Sequence, residues 1–269
     1  MTSDGQLGLT GEKELVARPL AAVALALVAC WATACASGVE GHPQPTPSPR
    51  SGAQVPGQVL DLQNWYLTLP TGEIGHPDTV MQPQLASYSS PYFKLDDAHD
   101  GVVFTSEAGG VTTENSGYPR SELREMNGGE KAEWSNRRGA HTMEVRQAVT
   151  ALPPVKPEVV TAQIHDAESD VIEIRLEDNR LVAQYADGKD EFVLDPAYVL
   201  GTPYDLRVVA ANGRIDVFYN GTLAGSAPVA GDDWYFKTGS YLQSNVSRGD
   251  AADAAGQVVL YALRVTHTG

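Results

Sequence analysis

The chain has 269 residues, with 34 acidic against 19 basic side chains and a formal net charge of −15. Residues 1–58 hold four acids and three bases, so the rest of the chain carries 30 acids against 16 bases, which argues against nonspecific nucleic-acid binding. Both cysteines, Cys30 and Cys35, fall in the first 36 residues, so the remainder has neither a disulfide nor a thiolate to offer.

Taken in chain order, residues 1–36 read as an export signal. Arg18 precedes an apolar run from Pro19 to Ala36, although the lead before it is long and partly acidic (Asp4, Glu12, Glu14). The run nearly reaches spanning length, so a membrane anchor is the competing reading. Leu27-Val28-Ala29-Cys30 has the pattern of a lipobox, while Ala32-Thr33-Ala34 before Cys35 fits a weaker lipobox or an A-x-A cleavage site. The expected location is therefore secreted, or lipid-anchored at the outer face of a bacterial membrane, with no other membrane contact. Residues 37–58 form a Pro/Ser/Gly-rich linker, in which Gly41 to Pro49 suits neither a helix nor a ladder.

Residues 59–269 are long enough for one domain with a sizeable core. Strands are expected at Arg120–Arg124, His141–Val149, Gln163–His165, Val171–Leu176, Leu181–Tyr185, Tyr204–Ala210, Arg214–Tyr219, Lys237–Gln243 and Gln257–Thr266. Asn212-Gly213 and Asn220-Gly221 mark tight hairpin turns, and no stretch keeps a 3.6-residue apolar period. This pattern predicts an all-β jelly-roll sandwich of two antiparallel sheets, leaving the outer face of one sheet as a substrate groove. Gly72 to Pro83 and Asn245 to Gly256 are long polar connections, either lids over that groove or plain surface loops.

Three of these strands carry chemistry. With a side-chain period of two, Arg120, Glu122 and Arg124 share a face, as do Gln163 and His165, and as do Lys237, Tyr241 and Gln243. Leu123, Ile164, Phe236 and Leu242 then point the other way, into a core. If the three strands adjoin, bases concentrate in one cleft, where an acidic protein can still grip a polyanion. The bland alternative is an ordinary solvated sheet face.

Tyr118-Pro119-Arg120-Ser121-Glu122-Leu123-Arg124, Gln163-Ile164-His165 and Tyr235-Phe236-Lys237-Thr238-Gly239-Ser240-Tyr241-Leu242-Gln243 together resemble, in order and spacing, the signatures of the alginate lyases of polysaccharide lyase family 7. The resemblance implies a monomeric jelly-roll enzyme that cleaves alginate or a related polyuronate by β-elimination without a metal or other cofactor. It gives Arg120 and Gln163 the neutralisation of the uronate carboxylate, and makes His165 a base. Tyr241 becomes the proton donor to the leaving oxygen, or itself the base, depending on the uronate. Glu122, Arg124, Lys237 and Gln243 become substrate-binding or orienting residues. Ile164, at the middle of the Q-(I/V)-H signature, goes in the family with acceptance of guluronate-containing blocks.

Two other functions compete. A retaining glycosidase on a similar sandwich needs an E-x-D-x-E strand, and Glu173-Ile174-Arg175-Leu176-Glu177 puts an arginine where the Asp belongs. That segment is expected to be a solvated strand face with Arg175 paired to its neighbours. A non-catalytic acidic-glycan-binding module would rely on exposed aromatics such as Trp65, Trp134 or Trp234, but has no need of a His and Tyr beside a carboxylate site. His76, His99 and His141 form no close-spaced pair and His267 lies at the tail, so no zinc site is expected.

Overall fold

The computed structural model describes residues 52–269. The export signal, both cysteines and the linker as far as residue 51 lie outside the described residues.

Alternation and turn chemistry produce two antiparallel sheets. One runs from edge to edge as Asp190–Asp195, Arg180–Tyr185, Asp170–Glu177, Glu158–His165, Tyr235–Leu242, Arg120–Asn127, Trp65–Glu73 and His76–Val80, with the short strand Glu130–Lys131 beside Arg120–Asn127. The other runs Thr222–Ala227, Arg214–Tyr219, Tyr204–Ala211, Ala140–Ala151, Ala255–Thr268, Val102–Glu107 and Phe93–Leu95. Among the described residues the helical elements are three short 3-10 turns. Both Asn-Gly pairs turn the chain as expected. Asn212 and Gly213 have φ of 52° and 71°, Asn220 and Gly221 48° and 81°, the left-handed values that a two-residue hairpin requires.

The core lies between the sheets. Along Tyr204–Ala211 every second side chain (Tyr204, Leu206, Val208, Ala210) is buried. From the facing sheet Leu123, Ile164 and Phe236 enter the same core with no exposed surface, each worth roughly 1.5–3 kcal/mol of burial. Leu242 is equally buried. The polar residues that alternate with them are thereby forced onto the outer face, which is the link between hydrophobic pattern and site.

Candidate active site

The three signature strands are neighbours, with Tyr235–Leu242 in the middle. Lys237 stands opposite Arg124 on one side and Gln163 on the other, Tyr241 opposite Arg120, and Tyr235 opposite His165. The register slips by one residue between Thr238 and Tyr241 on the side facing Glu158–His165, and Gly239 lies in that slip with φ +142°. A Cβ there would stand 2.6 Å from Ser121 O and 2.9 Å from Glu122 Cα, so only glycine lets the middle strand approach the arginine strand.

Arg120, Arg124, Gln163, His165, Lys237 and Tyr241 line one groove of about 500 Å³. A continuation of about 310 Å³ beyond Tyr241 is lined by Gln243, Tyr118, Glu173 and Arg175. The Gln243 amide nitrogen is buried without a protein partner. Glu122 lies beneath, 1 % exposed, and ties the floor together. Lys237 Nζ is 2.5 Å from its Oε2, Arg120 Nη1 is 3.3 Å from the same oxygen, and Gln163 Nε2 donates to Oε1. Burial alone would raise the Glu122 carboxyl, but Lys237 and Arg120 outweigh it and hold it below the ordinary carboxylate range. Burial and Arg120 bring Lys237 down to about 8 against the pull of Glu122.

Aromatic rings hold the arginines. The Arg120 guanidinium lies 3.7 Å from the Tyr241 ring centroid, and that of Arg124 3.7 Å from the Tyr235 ring. Arg120 Nε is buried and has no protein partner. His165 Nδ1 is 2.6 Å from the Asp166 carbonyl, which can only accept, so the proton sits on Nδ1 and Nε2 keeps its lone pair. Burial, then the nearby Lys237 charge, lowers the His165 pKa, favouring the neutral ring. Tyr66 and Tyr235, by contrast, are raised by burial, only partly offset by Arg124, and stay phenols.

Several features depart from the sequence reading. The floor is basic, but the groove is not uniformly so. Exposed Glu133, Glu168 and Asp233, together with Asp170 and Glu173, also line it. Glu173 does not sit on a solvated face, because the groove closes over its strand and leaves it 7 % exposed. Burial, then Asp170, pushes its carboxyl up to about 7. Arg175 is paired as expected, reaching Glu158, Glu173 and Glu177 at 2.8, 3.4 and 3.3 Å. Neither Gly72 to Pro83 nor Asn245 to Gly256 lines the main groove, whose borders come from Thr113, Asn115, Ser116 and the Ala167–Ser169 turn. Trp65 and Trp234 are core residues.

Of the groove residues that the sequence reading did not pick out, four touch or stand opposite the signature residues. Tyr235 has the same parity as Lys237 and Tyr241, a signal present in the chain. Tyr66 stands opposite Arg124 on the next strand. Glu173 stands opposite Gln163. Ser116 hydrogen-bonds Tyr241 Oη at 2.9 Å from a loop that no pattern marks. A separate cavity of about 350 Å³ behind the arginine strand holds Glu125, Trp134, His141 and His267, whose polar side-chain atoms are bonded to one another or to backbone.

A two-sheet jelly roll with arginines, amide, imidazole and phenol gathered in a groove on one outer face matches a known class. The profile described as "Alginate lyase" matches residues 60–267, and the chain belongs to that family, within polysaccharide lyase family 7. Among solved structures it is similar to alginate lyase AlgAT5 of polysaccharide lyase family 7, with 47% identity, TM-score 0.78, and coverage of 81% of this chain and 100% of that one. It is also similar to the alginate lyase from Corynebacterium sp., with 43% identity, TM-score 0.77, and coverage of 79% and 98%. An alginate lyase of Klebsiella pneumoniae is 37% identical over 82 residues, which span 29% of this chain and 26% of that relative.

Proposed function

We propose that this chain cleaves alginate or a related polyuronate by β-elimination. The proton alpha to a uronate carboxylate is weakly acidic while that carboxylate keeps its full charge. Arg120, whose side chain lines the groove, and Gln163, through the N–H not given to Glu122, neutralise the carboxylate and stabilise the enolate-like anion. His165 Nε2 takes the C5 proton. The electron pair forms the C4–C5 double bond, the C4–O bond breaks, and Tyr241 Oη gives its proton to the departing oxygen. Arg124, Lys237 and Gln243 hold neighbouring sugars, with Lys237 also neutralising Glu122.

The observation that carries this reading is that both carboxylate-neutralising groups and both proton carriers line one groove on three adjacent strands. Family membership supports it, and so does the name alginate lyase carried by its relatives. Ile164, fully buried beneath the groove, is the basis for proposing a preference for guluronate-containing blocks through its packing. We further propose a monomer, exported with or without a lipid anchor on the pattern of the Leu27–Cys35 segment.

The test is the ultraviolet absorbance of the conjugated unsaturated uronate, followed when the purified chain meets alginate, polyguluronate or polymannuronate. A rise, fastest on guluronate-containing polymer, is expected. New reducing ends without absorbance would indicate hydrolysis, and binding without new ends a glycan-binding module. Either result would overturn the proposal.

A further inference from the structure

Ser116 sits in the loop that leads into the arginine strand, and that loop is pinned at several points. Ser116 N donates to Thr113 O at 3.2 Å, Gly75 N to Thr112 O at 3.1 Å, and Asn245 Nδ2 to Gly117 O at 2.8 Å. The hydroxyl is thereby held between three groups. Tyr118 N donates to Ser116 Oγ at 3.1 Å, Oγ donates to Tyr118 O at 3.3 Å, and Tyr241 Oη stands 2.9 Å away.

A serine hydroxyl has one proton and two lone pairs. One lone pair is fixed by the Tyr118 N–H. With the proton on the Tyr118 carbonyl, the other lone pair accepts from the Tyr241 phenol, and every group is satisfied. When Tyr241 has given up its proton, Oγ–H turns from the long bond to Tyr118 O onto the phenolate, while still accepting from Tyr118 N. No heavy atom has to move.

We propose that Ser116 is a positioning residue that serves both protonation states of Tyr241, accepting from the phenol and donating to the phenolate left after proton transfer. The inference rests on the reading of Tyr241 as a proton carrier. The Arg120 guanidinium over the ring holds the same phenol from its face, so Oη is fixed by Ser116 at the edge and by Arg120 above. A hydrogen bond to an ionised group is about twice as strong as one between neutral groups, so the contact favours the state after proton transfer over the resting one.

The experiment compares the full chain with Ser116→Ala and Ser116→Thr on polyuronate, with melting temperatures measured alongside. In Ser116→Ala kcat is expected to fall about ten-fold with KM within about two-fold, because the bond serves an anion that forms only during reaction, and Ser116→Thr is expected to restore it. An unchanged kcat in Ser116→Ala overturns the inference. So does a loss of kcat that Ser116→Thr fails to restore and that tracks a lowered melting temperature. A parent with no lyase activity would sink the proposed function and the Ser116 inference with it, whereas an active parent with an unaffected Ser116→Ala would sink the Ser116 inference alone.

Discussion

Lys237 Nζ stands 2.5 Å from Glu122 Oε2, and neither side chain is more than one-tenth exposed. This ion pair, with Arg120 on the same oxygen and Gln163 on the other, fixes the groove floor. Removing Glu122 alone leaves Lys237 and Arg120 buried side by side without a counter-charge. Glu122→Ala is therefore expected to cost about 3–5 kcal/mol in urea denaturation, as breaking buried pairs does. Glu122→Gln together with Lys237→Met, which removes both charges, is expected to recover most of that stability while activity stays lost. Equal destabilisation by the single and the double variant would show that the charges are not coupled.

Glu173 gives the groove a pH dependence of its own. Its carboxyl, raised to about 7, is neutral in the folded protein at pH 6 and ionised at pH 8. Folding stability from this group is thus largest below its unfolded pKa, and is lost as pH climbs through about 7. Ionisation adds a negative charge to a groove proposed to hold a polyanion. KM for polyuronate is expected to rise about five-fold between pH 6 and 8. Glu173→Gln is expected to flatten that rise and lower KM at pH 8. A rise that survives in Glu173→Gln belongs to another group, and Lys237, losing its charge near pH 8, is the one to test by Lys237→Arg.

His165 sets the opposite limb. Burial and Lys237 lower its pKa, so the neutral base persists further into acid than an ordinary imidazole of 6.5. The acid limb of kcat/KM is expected below that value. His165→Ala is expected to abolish guluronate cleavage more completely than mannuronate cleavage, the residual activity being measured on the two block polymers separately. Equal residual activity on both would remove His165 as the guluronate-specific base.

How much of this was legible in the chain depends on how local each signal is. The Tyr204–Ala211 and Arg214–Tyr219 strands and the Asn-Gly turn after each are written in alternation and left-handed residues, so they could be placed without any partner. The shared face of Arg120, Glu122 and Arg124 follows from parity alone, and adjacency of the three signature strands was the one step parity could not supply. Glu173 was misread because a strand alternating Glu, Arg and Glu looks solvated unless the groove above it is known. Ser116 was invisible because its meeting with Tyr241, 125 residues away, is a tertiary fact about a loop. The same holds for His141 and His267, which lie far apart in sequence but directly opposite each other in register.

Gly239 is a point where backbone, not chemistry, limits the site. With φ +142° and backbone of the arginine strand within 3 Å of any added Cβ, it has no room for a side chain. Gly239→Ala is expected to lose about 2–4 kcal/mol by combined strain and steric displacement. The displacement separates Tyr241 from Arg120, its partner in register. Circular dichroism melting should show the loss of stability, and kcat/KM should fall beyond what the unfolded fraction explains. An unchanged melting temperature would mean that the strand can shift without cost.

Behind the groove, Glu125 points the opposite way from Arg124 and is held by a different set of donors. Its Oε2 accepts from Trp134 Nε1 and Phe236 N, both at 2.9 Å, and its Oε1 from His267 Nε2 at 2.6 Å. His267 Nδ1 in turn lies 2.8 Å from His141 Nδ1, and His141 Nε2 donates to the Ser135 and Arg138 carbonyls. One buried carboxylate thus joins the last strand of the chain to both central strands of the groove, since Phe236 lies between Tyr235 and Lys237. His267→Ala removes a donor from a carboxylate that is 3 % exposed, at an expected cost of about 2–3 kcal/mol. His267→Gln, which can still donate, is expected to recover part of it. Because the carboxylate holds Phe236 N, the Ala variant is also expected to loosen the Tyr235–His165 stack, now 5.5 Å between ring centroids, and to lower kcat/KM a few-fold. Loss of stability with kcat/KM unchanged for the folded fraction would confine this carboxylate to holding the sandwich together.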